Sequence, residues 1–153
     1  MEGRRTPHVD SAPRANCLVL LHQDLTPQLT RRLRELTNAG YPLILDRENG
    51  HGPPPFALGA GLRLYGEGGL FMARTVLAVI QQSILDADAD GEFSLDLRGL
   101  DYIALASWAA IIHGTQAFRD RGGIVRVHTA GSYRRLLEMT TRADADRAHL
   151  EFV

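Results

Sequence analysis

In the run DADADGEFSLDL, residues 86 to 97, Asp86, Asp88 and Asp90 alternate and Gly91 follows, a spacing with which a tight loop gathers carboxylate oxygens around calcium. The twelfth place, where a bidentate glutamate would close the shell, is Leu97, and the second half of the run has the alternation of a buried strand. A solvated helix-to-strand turn is therefore expected, without a tight calcium site. The six histidines, His8, His22, His51, His113, His128 and His149, never stand three or four residues from one another or from Cys17, so no metal-ligand set is legible. Ser107 with His113 or His128 and Asp96 can be written as a hydrolytic triad, but no Gly-x-Ser-x-Gly elbow surrounds the serine and Asp96 falls within an apolar strand. The chain reads as non-enzymatic and cofactor-free.

The chain must next supply elements to carry whatever it presents. Its 153 residues, 44% hydrophobic and 23% charged, suffice for one domain with a real core. A formal net charge of -1 gives no global attraction to nucleic acid. Arg134, Arg135, Arg142 and Arg147 are interleaved with Glu138, Asp144 and Asp146, which makes a mixed solvated face rather than a basic patch. The lone Cys17, in the apolar run CLVLL, excludes an internal disulfide framework and reads as a small buried hydrophobe. The N-terminus has no apolar signal core, and the longest apolar run, Tyr102 to Ile112, is too short to cross a bilayer. A cytoplasmic protein is expected.

Residues 1–14 are polar with two prolines and read as a mobile tail. Residues 15–47 read as a strand-helix-strand unit: CLVLLH, then a helix opened by Thr26 and Pro27 and closed near Gly40, then YPLILDR. Its helix carries Leu29, Leu33 and Leu36 on one stripe. Residues 48–55, with three consecutive prolines, form a connector. From residue 56 to 153 strand and helix alternate: GLRLYGEGG leads to a glycine turn, a helix carries Phe71, Val76, Leu77, Ile80, Ile84 and Leu85, a strand spans Phe93 to Leu97, and a helix runs from about Leu105 to Phe118. RGGIVRVHTAG, SYRRLLEMTTR and HLEFV then supply a strand, a short helix and a terminal strand. This order predicts a layered α/β fold with parallel pairing.

The stretch FSLDLRGLDYIALASWAAIIHG, residues 93 to 114, builds a strand, a turn and a helix start, a layout that often delivers a reactive group. Here the tip holds Ala104, Leu105, Ala106 and Ser107. Over residues 56–153, about two thirds of the chain, the order of GLRLYGEGG, FSLDLRGLDYIALASWAAI, RDRGGIVRVHTAG and SYRRLLEMT resembles the STAS domain, shared by anti-sigma factor antagonists and the cytoplasmic tails of sulfate transporters. The resemblance implies a STAS-like layered fold, a mixed sheet with helices packed on it, joined by the N-terminal strand-helix-strand unit. In the bacterial antagonists it resembles, the turn before the second helix reads close to Asp-Ser-Ser-Gly-Leu and its first serine is phosphorylated by an anti-sigma kinase. Those places hold Ala104, Leu105, Ala106, Ser107 and Trp108 here, so no hydroxyl stands at the acceptor position.

The resemblance therefore implies a regulatory protein-interaction module that binds an anti-sigma factor or a related kinase-like regulator without the phosphoserine switch. Its partner-contacting residues would be Glu67, Tyr102, Ala104, Leu105, Ala106, Ser107, Trp108, Thr129 and Ser132, although a helical tryptophan is expected first of all to fill the core. The N-terminal unit resembles the opening of the MEDS sensor domain. HQDLTPQ, after its first strand, lacks the glycines of a phosphate cradle. A unit this small must pack on the STAS-like part or on a second copy of the chain, as a homodimer. The alternative reading is a small-ligand sensor with a pocket between that unit and the STAS-like sheet.

Overall fold

The helix start written in Thr26 and Pro27 forms as expected: Thr26 Oγ1 accepts from the Leu29 amide at 3.2 Å, and Pro27 contributes a fixed φ where an amide has no helical partner. At the other end Gly40 takes φ +100°, which reverses the chain toward the next strand. The computed structural model describes residues 17–21, 24–46, 60–88 and 91–153. The expected tail over 1–14 and connector over 48–55 lie outside the described residues.

The elements are β1 (Leu18–Leu21), α1 (Pro27–Asn38), β2 (Leu43–Asp46), β3 (Ala60–Gly68), a 3-10 turn (Leu70–Met72), α2 (Ala73–Ile84), β4 (Glu92–Ile103), α3 (Leu105–Asp120), β5 (Ile124–His128), α4 (Gly131–Thr140), α5 (Asp144–Arg147) and β6 (Leu150–Phe152). Six strands form one mixed sheet in the order β2-β1-β3-β4-β5-β6. Every neighbouring pair is parallel except β1 with β3. The fold is thus α/β, consistent with the expected STAS-like layering.

β1 shows how the first strand-helix-strand segment joins the rest. All four of its residues are buried, and Leu18 and Leu20 enter one core with Leu29, Leu33 and Leu43 from its own segment and Leu62, Leu64, Val76, Ile80 and Phe93 beyond it. Strands buried on both faces lose the polar alternation, which is why LVLL reads as a continuous apolar run. The β1–β3 junction depends on Gly66, inside β3 at φ +94°: a Cβ there would stand 2.4 Å from the Cys17 carbonyl oxygen. The residues that the sequence assigns to a turn at the end of the strand instead form an irregularity within it, and pairing with β4 resumes through Gly68 and Ile103. Gly66→Ala combines a left-handed backbone with a backbone clash, so it is expected to cost about 2 kcal/mol or more, read as a lowered denaturation midpoint in urea. An unchanged midpoint would contradict this geometry.

β4 is longer than its apolar pattern. The strand expected over Phe93 to Leu97 runs twelve residues, because after Asp96, the last residue paired with β5, it continues along β3 alone. With one edge unpaired, that extension tolerates the exposed Asp101 and Tyr102 that resemble a loop in sequence.

The face of the sheet away from α2 and α3 carries buried charge. Arg63 lies between Leu62 and Leu64 in β3, so alternation turns it to that face, where it meets Asp24 at 2.9 Å and Asp96 at 3.5 Å. Asp96 also takes a two-pronged contact from Arg98 at 2.9 and 2.8 Å. Burial works against the Asp96 carboxylate, but hydrogen bonds and charge from Arg98, with His128 adding, hold its pKa below the ordinary value. A carboxylate depressed in the folded state contributes stability above about pH 4, and that contribution is lost as pH falls through the folded pKa. Asp96→Asn is therefore expected to lower stability at pH 7 and to flatten its fall between pH 5 and 3, as measured by urea unfolding at each pH. Parallel curves for the two proteins would contradict it.

Candidate functional site

The carboxyl ends of β3 and β4 and the start of α3 meet at one edge of the layer. α3 begins immediately after β4, with Ala104 extended at φ -77° and ψ 153° and no side chain capping the first turn. Leu105, its first residue, is 54% exposed. Two residues on, Ser107 is fully buried and its Oγ donates to the Gly69 carbonyl at 2.9 Å, which ties α3 to the turn after β3. The Tyr102 hydroxyl lies over Gly69 so closely that a Cβ there would be 2.5 Å away. The 3-10 turn that follows presents Phe71 with 88% of its surface in solvent.

Phe71, Tyr102 and Leu105 therefore make an apolar tip around the Gly69–Ser107 contact. Tyr133 Oη donates to the Asp101 carbonyl at 3.3 Å, which brings the beginning of α4 toward the same edge. Of the residues singled out in sequence, Tyr102 and Leu105 are exposed on the tip, Ala104, Ala106, Glu67 and Thr129 are half-buried, and Ser132 is exposed at the start of α4. Ser107 has no exposed surface and Trp108 is nearly buried, so neither is exposed on the tip itself. Trp108 Nε1 donates to Thr141 Oγ1 at 2.8 Å, Thr141 Oγ1 donates to the Leu137 carbonyl, and the indole lies 5.7 Å from the Phe152 ring. Trp108 fills the core, and a satisfied N–H makes that placement stable.

Phe71 is the tip residue that sequence reasoning misplaced. The helical stripe assigns it to the buried face of α2, but α2 begins only at Ala73. Gly68 and Gly69 just before it were the available signal, since paired glycines delay a helix and leave the next residues in a turn.

A groove of about 400 Å³ runs from the tip along α3. Leu105, Trp108, Ala109 and Ile112 form its apolar floor, and Thr140, Thr141 and Asp146 form the opposite wall. That wall is held by Arg119, a 2% exposed cation near the end of α3. Its guanidinium donates to the carbonyls of Ala145, Asp146 and Ala148 at 3.1, 3.2 and 2.9 Å and to that of Ile112 at 2.8 Å, while Nε reaches Thr115. Burial lowers its pKa, with Asp146 and Asp120 acting in the other direction.

The other constellations fall apart in space. Asp96 engages Arg63 and Arg98 on the far face of the sheet, whereas Ser107 engages Gly69 beside the helical layer. Asp86 is paired with Arg32 at 2.8 Å, and Asp90 lies outside the described residues, as do His8, His22 and His51. The N-terminal unit extends the sheet through β1 and β3 and packs its helix toward α2 through Arg32 and Asp86, while the groove along α3 is lined by residues from 105 to 146. Among the described residues no helix is long and apolar enough to cross a membrane. No family model and no curated protein matches the chain.

Proposed function

We propose that the chain is a non-enzymatic regulatory module of the STAS type, cytoplasmic, that docks a protein partner through a permanently apolar tip. The observation that carries this reading is the exposure of Phe71, Tyr102 and Leu105 together at the start of α3, where burial in the free protein would have been the default for large apolar groups. The partner of first choice is an anti-sigma factor or a related ATP-binding kinase-like regulator, on the strength of the resemblance of residues 56–153. In this reading the tip resembles the antagonists' phosphorylation site with its switch removed. Leu105 occupies the acceptor place, and the nearest hydroxyl, Ser107, has no exposed surface and already donates to Gly69.

The test is affinity capture with the full chain from its source cells, with a Phe71→Asp variant as the control and mass spectrometry as the readout. An anti-sigma regulator retained by the parent chain and released by the variant is the expected result, whereas identical captures would contradict it. Incubation of the chain with that regulator and ATP is expected to leave residues 104–107 unmodified by intact mass and peptide mapping. Stoichiometric phosphate on Ser107 would show a working switch and overturn this part of the reading.

A further inference from the structure

Building on the docking-module reading, we propose that the groove along α3 seats an amphipathic α-helix of the partner, antiparallel to α3, with a basic residue at the Asp146 end. Leu105, Trp108, Ala109, Ile112 and Gln116 follow helical spacing on one face of α3 and line the trough over about 16 Å, three turns of a partner helix. A groove floored by an apolar helix stripe and open along its length is the shape into which an amphipathic helix lays its apolar face. Trp108 and Ile112 at the floor receive apolar side chains spaced i, i+3 or i+4, and i+7. The groove is continuous with the tip, because Leu105 belongs to both.

Charge fixes the direction and the chemistry of the occupant. The Asp146 carboxylate makes no hydrogen bond or ion pair among the described residues, although its charge acts on the buried Arg119; its backbone carbonyl accepts from Arg119 and its amide donates to Ala143. No arginine lines the groove and the chain contains no lysine, which leaves His113 as the one basic side chain in the groove lining. At the opposite end the first turn of α3 has no side-chain cap and so presents the positive end of the helix dipole. A helix lying antiparallel places its own negative end there and its positive end, with an arginine or lysine, beside Asp146. A second copy of the chain fits less well. The first two turns of its α3 carry no arginine or lysine to meet Asp146, and the exposed Leu136 and Met139 of its α4 cover one turn and would dock head-to-tail, a contact that need not close.

The experiment selects helix-forming peptides of about sixteen residues from a phage-displayed library on the immobilised full chain. Recovered peptides are expected to carry the i, i+3 or i+4, i+7 apolar pattern with an arginine or lysine in their first two turns. Ala109→Arg, a substitution on an exposed position of the groove, is expected to weaken them at least about tenfold. Asp146→Asn should remove the preference for the basic residue, and Glu35→Gln, exposed on α1 away from both tip and groove, should leave binding within about twofold. Peptides indifferent to Ala109→Arg, or weakened as much by Glu35→Gln, would overturn the helix seat while leaving the docking tip standing. Self-association of the parent chain in sedimentation, abolished by Ala109→Arg, would make the occupant a second copy and would also overturn it. Capture insensitive to Phe71→Asp would remove the docking tip itself, a failure separable from that of the groove.

Discussion

Deleting residues 1–50 is expected to leave a fragment that elutes as aggregate and shows no cooperative melt. The deletion removes Leu18, Leu20, Leu29, Leu33 and Leu43 from the shared core. At ~1.5 to 3 kcal/mol for each buried leucine, their loss is on the order of ten kcal/mol, comparable with the whole net stability of a domain. It also strips β1 from β3 and leaves the Tyr65–Gly66 edge unpaired, an open template for association. Size exclusion and thermal melting of the fragment beside the full chain decide the matter. A monodisperse fragment melting within a few degrees of the parent would show that the N-terminal segment is a detachable appendage.

Arg119→Ala is the single substitution expected to cost most, on the order of 3 to 5 kcal/mol. The side chain satisfies four carbonyls from two separate stretches, residues 112 and 145–148; its removal leaves the buried Ile112 acceptor and the partly buried carbonyls of Ala145, Asp146 and Ala148 without this donor, and opens the space of a nearly fully buried side chain. Arg119→Lys should recover only part of the loss, because an ammonium cannot reproduce the planar spread of the guanidinium. Urea unfolding of the three proteins measures both effects. A midpoint for Arg119→Ala within experimental error of the parent would show that the C-terminal wall does not depend on this clamp.

The legible parts of the chain were those whose physics is local. Thr26, Pro27 and Gly40 announce α1 because capping, fixed φ and left-handed backbone act within a few residues, and the apolar runs at 18–21 and 43–45 announce strands, although only the first is buried throughout and the second is a half-buried edge strand. The far end of β4 was hidden, since its polar residues are permitted only by an unpaired edge that the sequence does not reveal. α5 was hidden too. Four residues, Asp144–Arg147, have no periodicity to detect, and their position is set by Arg119, which in sequence resembles an ordinary cation at a helix end. The Arg63–Asp24–Asp96 cluster draws on β3, β4 and the stretch before α1, so no spacing rule finds it. At the tip, the absence of a hydroxyl at Leu105 was readable directly, whereas the inward turn of Ser107 and the outward turn of Phe71 depend on how Gly69 packs against α3.

The most direct test of a fixed apolar docking tip is the affinity of the captured regulator for the full chain, measured by titration calorimetry with and without prior incubation of the two with ATP. The parent chain should bind with the same affinity in both cases, and Leu105→Asp, which changes only a side chain already half in solvent, should weaken binding at least about tenfold. Binding that survives Leu105→Asp unchanged, or that ATP incubation abolishes through a modification of the chain, would contradict the account.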